Sequence, residues 1–279
     1  DFNLIYAYKH FTQVSGTLNT NNYDINVTGN YSYFNCGEYN NNNSSDFRTL
    51  NLGSSTINAH YFRFYPENLT LNAGTSILNC GNLNNNGAAS FNVHNFNNGL
   101  SFHTINFTSN SGTSYFISTG NNNNVDISNL SFSSGGNISG QNTIGTLNLS
   151  SNATYELESG NTQTITNTLN AIGSCAGYVN IKSSSAGNQA TISKSSGSVN
   201  LQYCNLQDID FTGGATYFAN NSNDLGNNSG ISISAPSGGG SSRTLYWVGG
   251  SGNWNDLSHW SLNSGGSGGV CPPSFLDDV

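Results

Sequence analysis

The sequence predicts an all-β fold: a parallel β-helix, or solenoid, with coils of roughly 20 residues. Three observations carry this reading. Charged residues make up only 7% of the 279 positions, so amides and hydroxyls must keep the chain soluble. Roughly one residue in six is Asn, a poor helix former that tolerates left-handed backbone and bonds its own main chain. The apolar residues recur as short Φ-x-Φ doublets of Leu, Ile, Val, Phe and Tyr, types that suit a pleated, half-buried surface.

The doublets run along most of the chain. Leu50 and Leu52 are followed 19 residues later by Leu69 and Leu71. Ile105 and Phe107 are followed by Ile127, 22 residues after Ile105, and Leu169 falls 20 after Leu149 in the Leu147/Leu149 pair. Ile181 to Leu201 is again 20. Alternation points both members of a doublet to one face of a strand. No single coil buries its own apolar face, so strands must stack on their equivalents in neighbouring coils. The Leu50/Leu52 and Leu69/Leu71 doublets are expected to share one interior column. Asn and Gly turns, such as Gly81–Gly87 and Asn121–Asn124, supply positive φ between strands. About 11 coils and a rod about 50 Å long are expected. The alternative is tandem β-sandwiches, for which turn signals every 8–12 residues are expected.

Three regions follow. Residues 1–236 form the β-helix repeat unit, 237–245 a Gly/Ser linker and 246–279 the truncated start of a next repeat unit. The linker is read from SAPSGGGSSR, Ser234–Arg243. The last region holds all three Trp of the chain, Trp247, Trp254 and Trp260. Absence of Met and a first residue of Asp1 fit a processed product or a fragment.

Composition also excludes function classes. The formal charge of −8 rests on 14 acids and six bases, so no basic patch can track a phosphate backbone or an anionic membrane surface. No run of 18 apolar residues is present to span a bilayer. The five Cys have no metal-ligand spacing with the five His. Cys175 and Cys204, 29 residues apart, are a possible disulfide, and Cys271 is a candidate to pair outside the chain. The alternative is that several of the five are buried free thiols.

The remaining constellations are weak as chemistry. Asp208 and Asp210 would project to one side of a strand, as would Glu156 and Glu158, and paired carboxylates can act in glycoside cleavage. Solvated outer faces of coils are the plainer reading. The oxygen-rich loop Asn220–Gly230, around Asp224, has the composition of a single calcium site but reads better as an Asn/Gly turn. The three Trp could stack on sugars or anchor a core. TQTIT, Thr162–Thr166, is the one T-x-T-x-T run, the pattern an ice- or glycan-binding solenoid would need as a regular ladder. No catalytic, cofactor or metal site is assigned.

Several stretches resemble a known family. GTLNTNNYDINV (16–27), RTLNLGSSTI (48–57), NLTLNAGTSIL (68–78) and SSSAGNQATIS (183–193) are similar to the large repetitive cell-surface adhesins of Bacteroidota, including gliding-motility adhesins exported by the type 9 secretion system. VNLQYCNLQDIDFTGGATYFANNSNDLGNNSGI (199–231) and the block from Tyr246 to Val279 continue the likeness, which covers roughly half the chain. The resemblance implies an extracellular, cell-surface location and a non-enzymatic stalk segment supporting attachment and gliding. Its implied partners are a surface polysaccharide or substratum, contacted through other parts of the full protein, and the secretion and motility machinery. A polysaccharide-binding or polysaccharide-degrading β-helix is the alternative.

Overall fold

A computed structural model describes residues 2–5, 10–29, 31–37, 47–81, 88–94, 99–118, 124–236, 243–273 and 277–279. The chain winds as a parallel β-helix, and the pairing of its coils is parallel throughout. Two sheets of ten strands each run along it, with a three-stranded sheet at either end of the coil stack. Among the described residues there is no α-helix; one 3-10 turn, Leu257–His259, lies beyond the coils.

Each coil crosses three faces in order. In the second coil these are Arg48–Asn51 on face one, Thr56–Ala59 on face two and Tyr61–Phe64 on face three. In the central coils the turn between faces one and two disappears. Ser101–Phe107, Asn124–Phe132, Gln141–Leu149 and Thr162–Ala171 are single strands that cover both faces. As a result one long sheet changes face midway. Ile77–Cys80 pairs with the second half of Ser101–Phe107, whereas Thr162–Ala171 hands its pairing to Ala190–Lys194 through its first half.

Alternation places the core. Phe34, Phe62, Phe91 and Phe116 stack up the inside of face three, all at 0% exposure, with ring centroids 5.7, 5.4 and 5.8 Å apart. Phe11 extends the ladder toward the N-terminal end at 4.9 Å from Phe34. Full burial of each such ring contributes about 2–3 kcal/mol. The outer side of face two carries an amide ladder. Asn58 donates to Asn26, Asn79 to Asn58 and Asn106 to Asn79, at 2.6, 2.8 and 3.0 Å. Ser131 takes the next rung, and Asn148 and Asn170 resume the ladder. Two shorter ladders, Asn19–Asn51–Asn72 and Asn180–Asn205–Asn223, repeat the device. In all of them the Asn–Asn donors point toward the previous coil, so the dipoles align along the axis.

The coils are less regular than a repeat near 20 predicts. Neighbours in the face-two ladder are separated by 32, 21, 27, 25, 17 and 22 residues. Ten strands per long sheet give ten rungs, and a rod of roughly 45 Å at the ordinary strand spacing. Leu50 does stack on the Leu69/Leu71 strand, but with an offset that sets it beside Leu71 and puts Arg48, not Leu50, beside Leu69. Arg48 is therefore inside, 3% exposed, and its guanidinium donates to the carbonyls of Tyr65 and Glu67. Gly37 makes room for it: a Cβ there would lie 2.1 Å from the Arg48 Nη1, and the backbone has φ of 107°.

Most of the proposed linker, 237–242, lies outside the described residues, as do most of the two Asn-rich turns at 81–87 and 121–124. Residues 243–245 are not linker. Leu245 is buried, Thr244 bridges Asp278, and Arg243 forms an ion pair with Asp277 at 2.6 Å. The segment from 243 onward thus closes on itself, with Tyr246–Trp247 antiparallel to Trp260–Ser261.

Candidate functional site

The long two-face strands break their alternation where they turn the corner. Ser128 and Asn129 are consecutive and neither is buried; the same holds for Gly145 and Thr146 and for Thr166 and Asn167. Two successive outward residues bend a strand away from its core side. The register shifts at the same place, between Ile144 and Thr146, which is the geometry of a β-bulge. The outer surface at this corner is a groove of about 510 Å³ running across the central coils. Gly145 is part of its lining, and no other residue fits there, because a Cβ would lie 2.4 Å from the Ser128 carbonyl oxygen.

Apart from Phe102, Ile127 and Gly145 the lining residues are polar, and they are aligned coil on coil. Ser101 pairs with Asp126, Asp126 with Thr143 and Thr143 with Thr164. Thr143 donates to Asn124 at 2.9 Å. By contrast, the side chains of Ser101, Asp126, Ser128 and Thr166 make no hydrogen bond to any described residue. Beyond the groove's last lining residues, the Lys194 ammonium donates to the Asn167 carbonyl at 2.7 Å and, more weakly, to that of Thr166. The walls therefore present hydroxyls, amides and one carboxylate, a set that can bind polar ligands by hydrogen bonds.

The residues singled out in the sequence are spread over the molecule. Asp208 and Asp210 do not project together. Asp208 sits in the turn before the strand Ile209–Gly213, with φ of 57°, and is 3% exposed. Its carboxylate accepts from Asn227 at 2.7 Å, while Asp210 accepts from Ser229 on the outside. Glu156 pairs with Lys182 at 2.8 Å, and Glu158 accepts from the Gly140 amide at 2.6 Å. Asp224 accepts from the Gly226 amide and the Asn228 side chain, which is an Asx turn. Of the TQTIT run, Thr164 and Thr166 are exposed and Thr166 lines the groove. Trp260 is buried and donates to the Trp254 carbonyl at 2.7 Å; Trp247 stacks on His259 at 4.6 Å.

The cysteines pair differently from the expectation. Cys175 bonds Cys271, not Cys204, and Cys271 is not left to a partner outside the chain. The reason is side-chain direction. Cys204 lies at an inward position of Cys204–Gln207, fully buried, with its thiol near the carbonyls of Ala171 and Gln202. Cys175 lies in the surface connection between Thr162–Ala171 and Val179–Ser183. Cys36, Cys80 and Cys204 are buried thiols, and burial pushes Cys36 up to about 11 and Cys204 up to about 12. The groove itself was missed in the sequence, although its signal was there: apolar pairs three apart instead of two.

No family model, curated protein or solved structure matches the chain.

Proposed function

We propose that this chain is a structural segment of a giant secreted cell-surface adhesin, a stalk that supports attachment and gliding motility and works by length, not by catalysis. The observation that carries the reading is the continuous stack of parallel coils, tied along its axis by interior aromatic and exterior amide ladders. Such a stack resists extension through many hydrogen bonds per coil, and its stability adds coil by coil. The Cys175–Cys271 disulfide fits an oxidising location outside the cell. The adhesin-like stretches 16–27, 48–57 and 68–78 contribute faces one and two of the first coils, where such a repeat would have to stack.

The test is made in the full-length protein. Deleting residues 1–236 as a unit should leave export intact and shorten the surface filament by about the length of the rod, seen by negative-stain electron microscopy. Loss of a hydrolase or lyase activity upon that deletion, with filament length unchanged, would replace the stalk reading by an enzymatic one.

A further inference from the structure

We propose that the corner groove of the central coils binds an uncharged linear glycan lying along the helix axis. The inference goes beyond the stalk reading and does not depend on it, since a coil stack can hold a glycan whether or not it is part of a filament.

Three features carry it. The first is the contrast between paired and unpaired polar groups. Outside the groove, the outward amides of Asn58, Asn79 and Asn106 bond one another up the axis. Inside it, Asn129, Thr143 and Asn167 bond Thr104, Asn124 and Thr146, but Ser101, Asp126, Ser128 and Thr166 bond to no described residue. Their donors and acceptors face the groove unspent, where ladder residues would serve stability alone. The second is shape. The groove runs across coils, so polar groups at equivalent positions, such as Ser101, Asp126 and Thr143, recur at the strand spacing of about 4.8 Å, close to the length of one pyranose in a linear chain. The vicinal diols of a sugar can bridge side chains on adjacent rungs, such as Asp126 and Thr143.

The third is charge, which selects among glycans. Asp126 is in the groove, and the whole chain carries −8. The nearby cation, Lys194, is committed to two main-chain carbonyls. A uronate or sulfate ester would meet a carboxylate and no free cation, so acidic glycans are disfavoured. An ice surface is disfavoured too, because it demands a flat regular threonine array and this site is a bent groove holding Asp126 and Asn129. Phe102, the aromatic in the lining, is only 3% exposed and offers no stacking platform, so one groove should bind weakly.

The test is affinity electrophoresis of the 279-residue chain in gels containing hydroxyethylcellulose, galactomannan, arabinoxylan, dextran or starch, with alginate and polygalacturonate as acidic comparisons. At least one uncharged polysaccharide should retard the protein. S128A/T166A removes two groove hydroxyls and should weaken that retardation severalfold. T166W fills the groove and should weaken it roughly tenfold or more. E156Q, on face three, should leave it unchanged. Circular dichroism melting establishes that each variant is folded; if T166W is not, S128A/T166A decides. The proposal is overturned if no uncharged polysaccharide retards the chain, if only the acidic ones do, or if the folded groove variants bind as the parent does.

Discussion

Truncating Phe62 to Ala tests the architecture at its most exposed assumption, the direction of each side chain on a short strand. Phe62 is 0% exposed and lies between Phe34 and Phe91, with ring centroids 5.7 and 5.4 Å away. Removing the ring leaves a cavity between two rigid neighbours that cannot close across a hydrogen-bonded coil. The cost should be about 4 kcal/mol, within the range for buried Phe to Ala. Tyr61, one residue earlier, faces outward and stacks on Tyr33 at 4.7 Å. Tyr61→Ala should cost about 1 kcal/mol or less. The two adjacent substitutions should therefore differ by about 3 kcal/mol in guanidinium unfolding followed by far-ultraviolet circular dichroism. Because coils contact only their neighbours, the damage should also be local. Native-state hydrogen exchange should accelerate roughly a hundredfold or more in Tyr33–Cys36 and Ser90–Val93, and stay unchanged in Val179–Ser183. Equal costs at positions 61 and 62 would mean a register slipped by one residue and would refute the inward placement of Phe62.

Other expectations follow from the same geometry. His60 accepts from the Tyr31 amide at Nδ1, 3.1 Å, and reaches the Ala88 carbonyl from Nε2, 3.0 Å, so it is held neutral. Burial lowers its pKa below the usual imidazole value, and that of His94 likewise; the stability they contribute is present above about pH 6.5 and lost as pH falls through the folded values. Melting temperature should thus drop between pH 7 and 5, and less so in His60→Gln. Non-reducing peptide mapping should recover a Cys175–Cys271 link; Cys271→Ser, which opens a loop with a separation of 96 residues, should lower stability by up to about 4.5 kcal/mol and expose residues 243–279 to protease first. Asn79→Ala breaks two ladder bonds and should cost about 1–2 kcal/mol, against a few tenths for Ser→Ala at Ser128, which has no partner to lose.

The fold class was legible because alternation survives in short strands: Tyr61–Phe64 reads out and in at every step, as its burial does. The coil length was not. A β-helix constrains where strands stack but not how much chain lies between them, so a coil can run to 32 residues or contract to 17. That freedom misled the doublet spacings. Ile127 stacks on Phe102 and Ile144, not on Ile105, and Ile181 stacks on Leu206, not Leu201. Arg48 was illegible for a different reason. Burying a guanidinium requires carbonyls at its donors, and those of Tyr65 and Glu67 arrive only once the coil closes. Disulfide partners depend on which side of a strand each Cys faces, which spacing does not report.

The groove's signal lies in the interruption of the rule that revealed the fold. Most apolar pairs here are Φ-x-Φ, but Phe102-x-x-Ile105, Ile127-x-x-Leu130, Ile144-x-x-Leu147 and Ile165-x-x-x-Leu169 carry extra residues. In each the flanking apolar residues are buried and the ones between are not. A lone break of this kind would be a bulge. Four on successive coils align their outward residues into one axial line, and the strand then rounds the corner without a turn. The corner has no loop to vary, and its side-chain pairs between coils, among the described residues, are confined to Asn129–Thr104, Thr143–Asn124 and Asn167–Thr146, so Ser101, Asp126, Ser128 and Thr166 are left facing a concavity. In a chain built of tandem units, the same run of Φ-x-x-Φ breaks on consecutive coils would mark each further groove, and units that keep strict Φ-x-Φ doublets with turns between faces would serve as length alone.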